Sequence, residues 1–394
     1  MKILVVSPTF LPAVGGAELV ILEVFRRLAE KHEVRLLTVD LKEELSVYFS
    51  DEYDEAVNFR VDRFKDNLSL AKLRGHRITG GIIPPFSISA ISAVKESLRE
   101  FRPDIMNLHY VVPTGLAAVA GKLSSGVPLV VTYNGRDVPG PGIPFFWKYW
   151  NRLAGNFADE VTFVSEYCRD AIFGKGSKKG VITYNGVNVP RDPLPGRSAA
   201  KKQLGIKEGQ KMIFSLGRLN EVKRIDILVK AMSLLKEKRP DLVLYIAGKG
   251  HEEAALKALV KELALEERIK FLGFVPPEKL GSYFAASEFF VFHSRFETFG
   301  MVLAEAMSWG RACVSVDSTA ISEVAPDGEC ALLARVMDAS DMAEKINSLL
   351  SDEKLRNRLE GNARKRAEEL FDWEKIATEY ENVFLKVLKH RERE

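Results

Sequence analysis

Ser294-Arg295-Phe296-Glu297-Thr298-Phe299-Gly300-Met301-Val302-Leu303-Ala304-Glu305-Ala306-Met307 reads as the end of a strand, a polar turn and the start of a helix. The run Phe289-Phe290-Val291-Phe292 ahead of it is short and wholly apolar, the pattern of a buried parallel strand. Behind it, Met301, Leu303, Ala306 and Met307 make a mostly apolar helix closed by Gly310. A strand that passes directly into a helix predicts an α/β fold and puts the chemistry at the junction. Glu297 stands just ahead of the helix and Glu305 lies on it, roughly 10 to 12 Å apart along the axis. Between them the first N–H groups of the helix have no intrahelical acceptor, and Gly300 lets a ligand come close to the backbone. That is a setting for phosphate oxygens. An elongated anion with hydroxyl groups at both ends fits it. The same spacing serves a helix-start acid and a solvated surface glutamate, and two glutamates by themselves do not decide between the readings.

The wider string Ser294-x-x-Glu297-x-Phe299-Gly300-x-x-x-x-Glu305-Ala306-Met307-x-x-Gly310 resembles the signature of glycosyltransferase family 4. Other segments match that family in order, so the likeness spans nearly the whole chain. It implies an α/β GT-B fold, two Rossmann-like β/α/β domains facing each other across a cleft, and transfer with retention of anomeric configuration. It also implies that Glu297 contacts the donor sugar and Glu305 the nucleotide ribose, with Phe299, Gly300, Met301 and Val302 between them on the donor. His293 departs from the pattern, which commonly has proline there.

The other motifs follow in chain order. Met1 to Ser7 is an apolar first strand, then Gly15-Gly16 and a helix with Val20, Ile21, Val24, Phe25 and Leu28 at helical spacing. The loop is not the G-x-G-x-x-G of a dinucleotide fold, which argues against a dehydrogenase. The resemblance puts Gly15 and Gly16 beside the donor diphosphate and the incoming acceptor; a tight turn needing positive φ would explain them as well. Residues 41 to 87 lack a clear period. His109 ends the apolar strand Asp104 to His109, at the edge where open α/β sheets bind ligands. Alone it is a satisfied structural histidine; by resemblance it is the catalytic histidine facing the donor sugar. Asn134-Gly135-Arg136-Asp137 stands where the family has His-Gly-x-Asp, which gives Asn134 and Asp137 to the acceptor side. Arg218 and Lys223, on the loop after the strand Lys211 to Gly217, are two cations that can neutralise a diphosphate leaving group without a metal. Alone they are solvated loop charges; by resemblance they clamp the diphosphate. Arg224 replaces a family glycine, and Thr319-Ala320 stand where the family more often has glycines. Gly248 marks a turn at the same sheet edge, and Val275 lies near the nucleotide base in relatives.

With 394 residues, 46% apolar and 28% charged, the chain is long enough for two cored domains. Expected are an N-terminal acceptor domain over 1–195, a donor domain over 196–371 and a terminal helix over 372–394 crossing back to the first, with the Pro-rich stretch 189–201 as linker. A formal net charge of +3 with no long basic run gives no sign of a nucleic-acid partner. Cys313 and Cys330 read as inert buried thiols of a cytosolic protein. The segment 143–152, with Phe145, Phe146, Trp147, Tyr149 and Trp150 around Lys148, is too aromatic for one helix face and is a candidate peripheral contact at the inner membrane surface; ordinary packing under the preceding Pro-Gly loop accounts for it too.

The function expected is retaining transfer of a hexosyl group from a UDP- or GDP-sugar to a saccharide or lipid-linked acceptor. No metal ligand set and no cofactor are called for, the nucleotide sugar being a substrate. A nucleotide-sugar epimerase of the same architecture and a non-catalytic nucleotide-sugar-binding protein are the alternatives.

Overall fold

The computed structural model describes residues 1–11, 15–40, 57–66, 86–135, 137–138, 140, 147–192 and 194–393. They form two compact units, Met1–Gly186 with Trp373–Glu394, and Val187–Asp372. Part of the 143–152 segment, Phe145 and Phe146 included, lies outside the described residues, as does most of 41–87.

The first unit holds a seven-stranded sheet of order β3-β2-β1-β4-β5-β6-β7. Its strands are β1 (Lys2–Ser7), β2 (Glu33–Val39), β3 (Arg60–Phe64), β4 (Ile105–His109), β5 (Leu129–Tyr133), β6 (Glu160–Phe163) and β7 (Val181–Ile182). Every ladder is parallel. Parallel strands take helices on both faces, so Ile3 to Val6 and Leu129 to Val131 are unbroken apolar runs, all fully buried. The terminal helix Trp373–Arg391 lies on the helix Gly16–Leu28, with Phe384 stacked on Phe25 at 6.4 Å. Its first residue, Trp373, covers Gly186, where a Cβ would come within 2.2 Å of the indole.

The second unit repeats the plan with six parallel strands in the order β10-β9-β8-β11-β12-β13. These are β8 (Lys211–Leu216), β9 (Leu242–Ala247), β10 (Ile269–Gly273), β11 (Phe290–Val291), β12 (Cys313–Val316) and β13 (Ala331–Ala334). The division between units falls after Gly186 rather than at 195, and the expected linker is part of the second unit. Charge explains this. Arg197 and Lys201, on the short helix Arg197–Gln203, reach the buried Glu288 at 3.5 and 2.7 Å, and Arg364 holds the Pro190 carbonyl. A carboxylate that is 2% exposed needs such partners, and those partners fix the segment in place.

Each sheet reverses its strand order once, between β1 and β4 and between β8 and β11. Ligands of open parallel sheets gather beyond the carboxyl ends of strands at such a reversal.

Candidate active site

In the second unit the loop after β8 carries Arg218 and Lys223, and the loop after β11 carries Glu297. The Arg295 N–H donates to the Val222 carbonyl at 2.9 Å and ties the two loops together. The Lys223 ammonium makes a close ion pair with the Glu297 carboxylate and lies 4.9 Å from the centroid of Phe292. Thr319 fixes the Glu297 backbone from the other side. Its Oγ1 accepts from the Glu297 N–H at 2.8 Å and donates to the Glu297 carbonyl at 2.6 Å. It does so at φ 46, a left-handed backbone that strains a β-branched residue by about 1–3 kcal/mol. Sequence reading passes over Thr319 as a site residue, although its place at a family glycine was a signal.

Gly300 precedes the helix Met301–Ser308 at φ 96. Leu303 and Ala304 N–H both return to the Gly300 carbonyl, at 2.9 and 3.2 Å. The N–H groups of Met301 and Val302 have no acceptor among the described residues, which leaves two donors for an anion. Glu305, one turn on, is half-buried and has no hydrogen-bond or ion-pair partner among the described residues. Burial pushes its carboxyl up to about 7, so the charged form is disfavoured unless hydrogen-bond donors are brought to it.

The other predicted donor residues divide by role. Arg218 is exposed with no acidic partner among the described residues and so is free for a phosphate. Arg224 forks onto Asp226 at 2.8 and 2.7 Å, which uses its charge internally. Gly248 is a packing glycine: a Cβ there would stand 1.9 Å from the Gly217 carbonyl. Val275, after β10, is 9% exposed. The Phe299 ring turns away from the helix start into the core, edge-on to Phe371 at 5.2 Å, so only its backbone borders the helix start. His293 is fully buried with neither ring nitrogen bonded among the described residues, and burial lowers its pKa to about 4. At the edge of this region Glu221, His251 and Glu252 bring ligand atoms within 4.8 Å of one another, a grouping the linear sequence does not display; His251 and Glu221 form an exposed pair at 2.9 Å.

The first unit is built differently. His109 is fully buried between Phe25, edge-on at 5.7 Å, and Tyr380, stacked at 6.5 Å. The Asn134 amide donates to its Nδ1 at 2.9 Å, which leaves the ring proton on Nε2, without a partner among the described residues. Burial lowers its pKa to about 3, so the ring is neutral. Asn134 thus supplies a hydrogen bond to His109 from the place where the family has histidine. Asp137 is 3% exposed and accepts from the Val111 N–H at 2.8 Å, holding the turn after β4. Gly15 sits at φ −156, an extended backbone, so positive φ is not its reason. A Cβ there would meet Glu18 Oε2 at 2.5 Å. Glu18, missed in the sequence, is buried and accepts from the Thr9 hydroxyl at 2.6 Å. Its place three residues into the helix is that of a capping-box acid, and Gly-Gly-x-Glu was the available signal. Gly16 opens that helix. Of the aromatic segment, Trp147 is 7% exposed and Trp150 packs edge-on to Phe86 at 5.3 Å, so neither forms an open lipid-facing pair. Among the described residues no helix is long and apolar enough to cross a membrane.

Residues 196–366 match the model for glycosyl transferases group 1, and residues 14–191 match that for Glycosyltransferase Family 4. The chain is 28% identical to N-acetyl-alpha-D-glucosaminyl L-malate synthase of Bacillus anthracis over 97% of its own length and 96% of that protein. Among solved structures, HepE of Anabaena in complex with UDP superposes with a TM-score of 0.76 at 22% identity, covering 98% of this chain and all of that one. Sucrose-phosphate synthase of Thermosynechococcus elongatus gives a TM-score of 0.77 at 20% identity, with 99% of each chain covered.

Proposed function

Since this chain belongs to glycosyltransferase family 4, has the GT-B fold and is a glycosyltransferase with a nucleotide-sugar donor, we propose that it moves a hexosyl group from a UDP-sugar to an acceptor hydroxyl with retention of configuration. The observation that carries the reading is the Lys223–Glu297 pair beside two N–H groups, unbonded among the described residues, at the start of the helix Met301–Ser308. Uridine is favoured over guanosine because HepE was solved with UDP and with UDP-glucose, and a hexosamine is consistent with the name of the Bacillus anthracis relative.

In this reading the diphosphate lies on the Met301 and Val302 N–H groups with Arg218 beside it. Lys223 turns from Glu297 toward phosphate oxygen, which frees the carboxylate for sugar hydroxyls. Glu305 takes the ribose hydroxyls, and their hydrogen bonds offset the burial of its charge. As the bond from the glycosyl carbon to the diphosphate oxygen breaks, the two cations and the helix start stabilise the departing charge. The acceptor oxygen forms the new bond on the same face, and its proton passes to the departing phosphate oxygen. Glu297 orients the sugar and is not a nucleophile. Gly15, Gly16, His109, Asn134 and Asp137 belong to the first unit and by resemblance serve the acceptor and the sugar face.

The test is incubation with a panel of UDP- and GDP-sugars, first without acceptor and then with saccharide and polyol acceptors, followed by mass spectrometry and anomeric analysis. Slow hydrolysis of a UDP-sugar alone and an α-linked product with acceptor are expected. An isomerised nucleotide sugar would instead identify an epimerase. Tight donor binding with neither hydrolysis nor transfer would identify a binding protein.

A further inference from the structure

The helix Trp147–Phe157 in the first unit buries Trp147, Asn151, Ala154 and Gly155 and turns the opposite face outward. On that face Tyr149, Leu153 and Phe157 are 61%, 47% and 44% exposed. Their four-residue spacing lines them up in one stripe about 12 Å long. Arg152 is exposed beside them, and the helix contains no acid. The loop 174–180, Gly-Lys-Gly-Ser-Lys-Lys-Gly, is fastened to the same helix: Lys179 donates to Asn156 Oδ1 at 2.9 Å, and Lys179 and Arg152 share the Phe173 ring at 5.2 and 6.0 Å.

The charges around the stripe are unbalanced. Nearby acids already have partners: Glu166 and Asp170 pair with Arg169 at 3.1 and 3.6 Å, Asp159 with Lys122 at 2.7 Å, and Glu160 with Lys386 at 3.0 Å. Lys148, Arg152, Lys175 and Lys178 have no acidic partner among the described residues. The neighbouring helix Gly115–Ser125 exposes Leu116 and Leu123 by 44% and 68%, and Lys122 links the two helices by donating to the Phe157 carbonyl at 2.8 Å.

We propose that this face is a docking surface for an anionic lipid bilayer. Well-spaced apolar and tyrosyl side chains ringed by unpaired cations match an interfacial layer where hydrocarbon begins and phosphates lie just outside it. A second copy of this chain would bring the same cations against themselves and is disfavoured. Attachment is peripheral. Of the expected segment 143–152 it uses Tyr149, joined by Leu153 and Phe157 further along the helix, while Trp147 and Trp150 pack inward, and it stands independently of the proposed donor chemistry.

The experiment is co-sedimentation of the full chain with vesicles of phosphatidylglycerol mixed with phosphatidylcholine, and with phosphatidylcholine alone. Binding to the mixed vesicles that weakens with salt, and little binding to phosphatidylcholine, is expected. Tyr149→Ser, Leu153→Ser and Phe157→Ser combined should abolish it. Lys175→Glu with Lys178→Glu should lower the partition by about twentyfold or more, at roughly fivefold per cation lost. All five positions are at the surface, so the variants should keep the wild-type melting curve and the wild-type rate of donor hydrolysis. Absence of wild-type binding to the mixed vesicles overturns the proposal, and so does equal binding by either variant. A wild-type dimer that Leu153→Ser turns into a monomer assigns the face to self-association and overturns it as well.

Discussion

The two sheets share one topology and one reversal of strand order, yet the space beyond that reversal is filled in opposite ways. Beyond β4 the first unit stacks Tyr380 of its terminal helix on His109 and sets Phe25 against the ring edge. Beyond β8 and β11 the second unit leaves Arg218 exposed and, among the described residues, two N–H groups unbonded and a half-buried carboxylate without a partner. One reversal is closed by aromatic packing. The other carries polar groups that no other described residue satisfies, and on them rests the proposal of a donor site. The same topology thus supplies a location in both units, and side-chain chemistry decides whether it is a core or a site.

The largest effect expected tests the one thing both reversals share, a buried neutral histidine beside each. His109 and His293 have folded pKa values of about 3 and about 4, against about 6.5 when unfolded. Below 6.5 the unfolded chain binds protons that the folded chain refuses, so stability is complete above that pH and is lost as pH falls toward 4 and then 3. By pH 5 the loss is on the order of 2 kcal/mol for each histidine. Melting curves from pH 7 to 5 at constant ionic strength should show it most fully in a Glu305→Gln background, which removes the opposing titration of that carboxyl, and there replacing both histidines by leucine should flatten the dependence. An unchanged melting point in the Glu305→Gln background would mean that one or both rings are solvated.

Next in size are the substitutions that separate site from core. Glu297→Ala should lower turnover by about a hundredfold and leave UDP affinity within about threefold. Lys223→Ala should weaken UDP binding by about tenfold and slow turnover too. Calorimetric titration with UDP and initial rates check both, and full activity in either variant would remove the open reversal as the donor site. His109→Ala tests the closed one. If the ring reaches the donor sugar during turnover, kcat falls about a hundredfold at temperatures where the variant is folded. An unchanged kcat with a stability loss of about 2–4 kcal/mol would make the first reversal packing alone.

The smallest effect concerns Glu305. With its carboxyl titrating at about 7, only about a tenth is ionised at pH 6, so UDP affinity should fall about tenfold from the alkaline plateau to pH 6. Glu305→Gln should remove this dependence, weaken UDP at high pH, and raise the melting point of the free protein by relieving a buried charge. That gain is of order 1 kcal/mol once partial exposure is allowed for. A flat binding profile in the wild type would place the ribose elsewhere.

Much of the second unit could be read before any coordinates. Its apolar runs and glycines mark strands and turns through local rules, and Glu297, Gly300 and Glu305 announce a helix start because spacing along one helix is fixed by covalent geometry. The contacts of Thr319 and Glu288 were not legible. Each acts across distance in sequence, Thr319 on Glu297 twenty-two residues away and Glu288 on Arg197 ninety-one residues away. For the same reason the stretch after Gly186 looked like a linker: Pro and polar residues describe its backbone, whereas its attachment rests on a buried carboxylate far along the chain.

By itself the sequence determined the α/β alternation, the family likeness and the placing of Glu297, Gly300 and Glu305 about one helix start, because each depends on neighbours a few bonds or a few helical turns apart. Only the tertiary structure decided that His109 is enclosed, that Arg224 is already paired with Asp226, and that Tyr149, Leu153 and Phe157 rather than the tryptophans face outward. Those outcomes turn on which surfaces meet once the helices have packed, and burial and pairing are properties of that packing.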